Sequence, residues 1–325
     1  MEIVLTLVGG LVLFLYGVGN LSDSIKEAAN DKMKKIVVRF TKNIFSAIVV
    51  GTIVTTILDS SSAVIILTIV LVNAKILDFR QAVGIVMGAN IGTTISSQII
   101  AMDVGQYSPV LLFVGFLLML VSKSEKINTA GRIALFFGML FFGLFTMERA
   151  VEPLKGSEQF TIWMANLENP LYGAAVGALV TLVIQSSSAT VGMVITLAKQ
   201  NLITLPAGIA VMLGAELGTC SDTLLATIRS NRQAIKTGVF HLFFNLVSIV
   251  IGLILFAPFI SLVGYISGEA DLENKIANAH VLFNVLGVVL FVGFVPVSVK
   301  VLDKLIPDNQ RNEDFVAGSE AKATA

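Results

Sequence analysis

An apolar-flanked serine run occurs twice, as Asp59-Ser60-Ser61-Ser62-Ala63 and as Gln185-Ser186-Ser187-Ser188-Ala189, with the copies 126 residues apart. The same offset, without a gap, pairs Gly51 with Gly177, Thr55 with Thr181, and Gly88-Ala89-x-x-Gly92-Thr93 with Gly214-Ala215-x-x-Gly218-Thr219. Over residues 51–97 it gives 13 identical positions in 47, and most of the others exchange one apolar residue for another. It reaches back to Gly17 and Gly143. A chain with this pattern is restricted to architectures in which one unit is built twice and packed against itself.

Composition sets the solvent. Hydrophobic residues make up 55% of the 325 and charged residues 14%, against roughly 25% charged in soluble domains. Apolar segments run approximately over 3–21, 44–72, 81–102, 107–122, 131–150, 172–198, 204–228, 236–258 and 278–302. The expectation is an all-α integral membrane protein, multi-pass in the cell membrane, with repeats at 1–126 and 127–258, an additional transmembrane helix in 259–302 and a polar tail at 303–325. Net charge is zero, which gives no support to a nucleic-acid partner. Cys220 is the only cysteine and excludes an internal disulfide. Met1-Glu2 lacks a basic leader, so 3–21 reads as a retained span rather than a cleaved signal.

Loop charge orients the halves. The connection 22–43 carries Lys26, Lys32, Lys34, Lys35, Arg39 and Lys42 and is expected inside; its repeat partner, 148–169, is rich in Glu and is expected outside. Lys123, Lys126 and Arg132 mark a second inside loop, and Arg229, Arg232 and Lys236 a third, whereas Asp103 and the acids of 268–275 mark outside loops. The repeats are therefore expected to be inverted, with the N-terminus outside and the C-terminus cytoplasmic. An inside loop at 43 and an outside loop at 103 demand an odd number of crossings, yet two apolar segments lie between them. Segment 44–72 breaks at its serines into halves of about 14 residues, each roughly 20 Å of helix, too short for a core about 30 Å thick. Each repeat is thus expected to hold a re-entrant helical hairpin, 44–72 and 172–198, whose serine tips meet near the midplane. The alternative is a long tilted helix bent at the serines.

Inverted repeats with polar breaks at membrane depth are the pattern of secondary transporters. At each tip the second half-helix starts at the serines, where its first amides lack intrahelical acceptors and its dipole end is positive. Hydroxyls and free amides together suit an oxyanion. A serine run in an apolar helix otherwise packs or back-bonds to the previous turn. The glycine pairs of Gly88–Thr94 and Gly214–Cys220 either let helices approach or mark unwinding, a broken helix in each repeat. Unwound carbonyls with Asn90, Thr93, Thr219, and with Thr55 and Thr181 one turn before the tips, would suit Na+, a cation that prefers oxygen ligands. Asp59, Glu216 and Asp222 are acids at apparent membrane depth and candidate functional groups. His241 with Asn245, and His280 with Asn284, lie four apart on one helix face and read as helix-to-helix bonds more than as ligands.

These motifs, Gln185-Ser-Ser-Ser with its partner, Gly88-Ala-Asn-Ile-Gly-Thr-Thr, and the two His-to-Asn strings, resemble the type II sodium-dependent phosphate cotransporters and their bacterial relatives, over approximately residues 1–305. The resemblance implies Na+-coupled movement of inorganic phosphate, no cofactor beyond the coupling ion, no enzymatic activity and a homodimer. Carried over, Ser60, Ser61, Ser62, Gln185, Ser186, Ser187 and Ser188 bind substrate. The Na+ candidates are Thr55, Asp59, Asn90, Thr93, Thr181, Glu216 and Thr219. Two positions depart from the pattern: Asp59 stands where the family has Gln, and Glu216 stands opposite Asn90. Many bacterial relatives continue into a PhoU-like helical domain, which is expected to be missing here. Competing readings are export rather than import, transport of sulfate or a carboxylate, an anion channel, and a membrane enzyme with a serine nucleophile.

Overall fold

The computed structural model describes residues 1–102, 105–122 and 124–307. Asp103, Lys123 and the tail from 308 onward lie outside the described residues, as do the side chains of Lys26, Lys32, Lys34 and Lys35. Every regular element among the described residues is helical: α1 Glu2–Phe40, α2 Ile44–Leu58, α3 Ser61–Asn73, α4 Phe79–Ala101, α5 Ser108–Val121, α6 Glu125–Val151, α7 Glu158–Asn166 and α8 Pro170–Ile184. The remainder are α9 Ser187–Lys199, α10 Leu205–Gly218, α11 Cys220–Leu225, α12 Arg232–Ile254, α13 Phe256–Ser267, α14 Leu272–Val292 and α15 Val295–Leu305, with short 3₁₀ turns at Gly105–Tyr107 and Glu152–Gly156. Five helices are long and apolar enough to cross a membrane, and α7 with α8, bent by 98°, would make a sixth.

The duplicated segment builds the same object twice. Asn43 caps α2 through its Oδ1, which accepts from Ser46 N at 2.9 Å; Asn169 caps α8 by accepting from Leu171 N and Tyr172 N. Both helices stop where the chain turns left-handed, at Asp59 (φ 52°) and Gln185 (φ 59°), a conformation costing a non-glycine residue roughly 1–2 kcal/mol. Ser60 and Ser186 then cap α3 and α9, each Oγ accepting from the amide three residues on at 3.2 Å. The returns use left-handed Lys75 and Asn201, and Asp78 and Thr204 cap α4 and α10 with identical backbone angles (φ −91°, ψ 164°).

Glycine explains the close packing of α2 on α4 and of α8 on α10. A Cβ at Gly88 would overlap the Ile48 carbonyl oxygen, and one at Gly214 the Ala174 carbonyl oxygen. Thr52 Oγ1 donates across the first of these contacts to Gly88 O at 3.1 Å. Helices α1 and α6 pack likewise, with Gly17 against Leu140 and Gly143 against Phe14 and Gly10. Two apolar cores result. One gathers α9 and α10 with α1, α6 and α14; the other gathers α2, α3 and α4 with α12 and α15.

Several boundaries differ from the sequence reading. The polar stretch after residue 21 is helical to Phe40, because 22–40 holds four Lys among other good helix formers and no Gly or Pro. Helix α4 runs unbroken through Gly88–Thr94, so the expected break in the first repeat is absent: its glycines serve packing. The second repeat does break, at Thr219 between α10 and α11. Segment 107–122 forms a helix of 14 residues, roughly 21 Å long and below the thickness of the hydrocarbon core. Residues 259–302 are not one helix: α13 ends at Gly268, and Gly293 with Pro296 separates α14 from α15.

Candidate functional site

Both serine tips open into one cavity of about 290 Å³, lined by Asp59, Ser60, Ser61, Ser62, Gln185, Ser186, Ser187, Ser188 and Thr219. All seven expected substrate residues are therefore brought together across a separation of 126 residues in the chain. Helix α1 closes one side with Leu15, Val18, Gly19, Ser22 and Asp23. Ser22 also ties α1 to the first tip, its Oγ donating to Leu58 O at 2.9 Å.

Each tip presents opposite polarities at one point. The amides of Ser61, Ser62, Ser187 and Ser188 open α3 and α9, where first-turn donors have no intrahelical acceptor. The same two points are the C-terminal ends of α2 and α8, where carbonyls carry the negative end of the dipole. Ser60 and Ser186 accept capping bonds through oxygen, which leaves their O–H groups free to donate. Such a lining can hold an anion and a cation side by side.

The charged residues of the lining are both acids, Asp23 and Asp59. Asp59 accepts from Ser96 Oγ of α4, and Asp222 of α11 stands beside Ser62 of the same tip. The second tip contributes only Ile184, Gln185 and serines. No Lys, Arg or His lies among the described lining residues. An unaccompanied dianion would face the Asp59 carboxylate at the first tip.

The Na+ candidates separate into two groups. Asp59 and Thr219 line the cavity, with Thr219 Oγ1 also donating to Ala215 O at 3.2 Å. Thr55 is fully buried one turn below the first tip, and its Oγ1 has no hydrogen-bond partner among the described residues. Its counterpart Thr181 is satisfied by Thr190 Oγ1 at 2.7 Å; Val64 replaces Thr190 in the first repeat, which is why Thr55 is left alone. Thr93 back-bonds to Ala89 O at 3.0 Å.

Asn90 and Glu216 are turned away from the cavity and into a buried network. Asn90 Nδ2 donates to Asn245 Oδ1 at 2.5 Å, and Asn245 Nδ2 donates to Glu216 O at 3.0 Å. His280 lies 2.8 Å from Glu216 Oε1 through Nε2 and 2.6 Å from Ser97 Oγ through Nδ1. His241 Nδ1 is 2.8 Å from Thr223 Oγ1. Both His-to-Asn strings thus join helices, tying α12 and α14 to the helices that follow the tips. Sequence reasoning missed Ser22, Asp23 and Ser96. Ser22 and Asp23 were legible only as the first polar residues after the apolar run of α1. Ser96 stands at the repeat position of Asp222, so the offset points to it.

The family model described as Na+/Pi-cotransporter matches residues 13–149 and again residues 143–294, nearly the whole membrane body and once per repeat. "Uncharacterized protein YqeW" of Bacillus subtilis is 27% identical over 94% of this chain and 99% of its own length. "Putative inorganic phosphate export protein YjbB" of Escherichia coli is 24% identical over 94% of this chain, which spans 56% of that relative. Human "Sodium-dependent phosphate transport protein 2B" is 30% identical over 37% of this chain and 19% of its own. No solved structure matches. With five helices of spanning length and a family match across both repeats, the chain is a multi-pass membrane protein of the Na+/Pi-cotransporter family.

Proposed function

We propose that the chain couples Na+ movement to transport of inorganic phosphate by alternating access, with phosphate held between the two serine tips. The observation that carries this reading is the single cavity shared by both tips, with an acid at the first tip and none at the second. Phosphate sits toward Ser186, Ser187, Ser188 and Gln185, completed by the hydroxyls and amides of Ser60, Ser61 and Ser62. Na+ sits toward Asp59, with the orphaned Thr55 hydroxyl and the carbonyls that end α2 as further oxygen ligands. Each ion removes the cost of the other: the cation screens Asp59 from the dianion, and the dianion draws the cation into a partly dry site. Thr93, Thr181, Asn90 and Glu216 are assigned to packing and to the buried network, since each has another partner.

In this reading 1–126 and 127–258 are inverted repeats, and α2–α3 and α8–α9 are re-entrant hairpins entering from opposite faces. The N-terminus lies outside and the C-terminus inside, as the basic connections favour. The relative named for export is compatible with the same site, because direction follows from the gradients and the coupling. The homodimer is carried only by the resemblance. Uptake of labelled phosphate into proteoliposomes tests the proposal. Concentrative uptake only under an inward Na+ gradient supports it. Uptake unaffected by Na+, or the same uptake of sulfate as of phosphate, refutes it.

A further inference from the structure

A second cavity, of about 560 Å³, opens between α12, α13, α14 and α15, remote from the serine tips. Its size falls within the range of ligand sites, about 300–1,000 Å³. The lining is apolar except for Ser248 and Ser298, and the Ser298 hydroxyl is already donated to Phe294 O at 3.1 Å. Gly252 and Gly287 hollow its floor. Two of the helices that form it, α12 and α14, are long and apolar enough to cross a membrane, so lipid is the solvent that an open groove between them meets.

One end of the groove is charged. Val297 of α15 lines it, and Lys300, Val301 and Lys304 follow at three, four and seven positions on the same helix face, all of them exposed. The one acid of α15, Asp303, is engaged by Lys236 Nζ at 2.6 Å, which leaves Lys300 and Lys304 as the net charge of the exposed face.

We propose that this groove is a binding site for one anionic phospholipid, with an acyl chain along α12 and α14 and the headgroup phosphate at Lys300 and Lys304. The apolar bed accepts any acyl chain, and the lysines select the headgroup. The inference stands on the membrane embedding of the chain and not on what it transports.

Native mass spectrometry of the detergent-purified chain tests it, after incubation with phosphatidylglycerol and phosphatidylcholine of matched acyl chains. The expected result is one retained phosphatidylglycerol per chain, with phosphatidylcholine retained about tenfold less. Leu290→Trp, at a lining position that is 54% exposed, should lose both lipids by filling the groove. The double variant Lys300→Gln, Lys304→Gln should retain the two lipids equally. Monodisperse elution of each variant certifies its fold. Equal retention of the two lipids by the unmodified chain overturns the proposal, as does unchanged retention by Leu290→Trp. A dimer that Leu290→Trp dissociates without changing lipid retention also overturns it, and marks the groove as a contact between two copies.

Discussion

The two repeats share a backbone plan and differ in where they place charge. Both make a capped half-helix, a left-handed stop, a serine cap and a glycine-packed following helix. The first tip has Asp59 at its stop and Asp222 against Ser62; the second has Gln185 and no acid lining. Backbone and side chains therefore do different work. Duplication supplies two similar dipole ends facing one cavity, and in the proposed reading a few substitutions fit one end to a cation and leave the other for an anion. A site built from identical halves would repel or attract both ions alike.

The shared plan is the place to expect the largest effect. Gly214→Ala would drive a Cβ into Ala174 of α8, and Gly88→Ala would do the same to Ile48 of α2. Each should cost about 2 kcal/mol or more by overpacking, with Gly214→Ala the worse. Thermal unfolding of the solubilised protein reads this, and a loss in only one of the two variants would break the parallel between the hairpins.

Removing a tip hydroxyl comes next. Ser61→Ala and Ser187→Ala should each weaken phosphate binding about tenfold, as expected for a hydrogen bond to a charged group. A loss confined to one variant would mean that only one tip touches the anion.

The asymmetry itself is tested by exchanging the stops. Asp59→Gln should raise the Na+ concentration for half-saturation about tenfold, and Gln185→Asp should weaken phosphate binding without restoring the Na+ response. If Asp59→Gln leaves the Na+ dependence unchanged, the cation does not use the first tip.

The threonines give a smaller and sharper contrast. Thr55→Val removes a hydroxyl with no hydrogen-bond partner among the described residues, so stability should hold while Na+ affinity falls a few-fold. Thr181→Val removes one hydroxyl–hydroxyl bond and leaves Thr190 Oγ1 its bond to Ser186 O at 3.2 Å, so it should cost about 1 kcal/mol or less in a melt while leaving the Na+ response alone. Lys126→Gln, remote from the cavity lining, should change neither measurement.

Much of this was legible in sequence because the informative residues break a rule. A serine run inside an apolar segment has to be a cap, a back-bond or a site, and its recurrence at 126 residues tied two distant breaks together. The breaks at the serines and the helix-to-helix bonding of His241 and His280 were read this way; the left-handed stops at Asp59 and Gln185 were not. Helix continuity did not. The run 22–40 looks like a connection by hydropathy, yet its residues favour helix, so α1 carries on to Phe40. Near-identical glycine motifs gave an unbroken α4 and a break after α10, because spacing alone cannot separate close packing from unwinding. Asn90 and Glu216 looked like ligands because polar groups at depth demand partners, but the partners came from α12 and α14, outside the duplicated segment.

The central claim, one site made by two unlike halves, is tested most directly by equilibrium binding of labelled phosphate to the purified chain across a range of Na+ concentrations. The account predicts one phosphate per chain, bound only when Na+ is present, and weakened by either Ser61→Ala or Ser187→Ala. Two phosphates per chain, or binding that is indifferent to Na+, would contradict it.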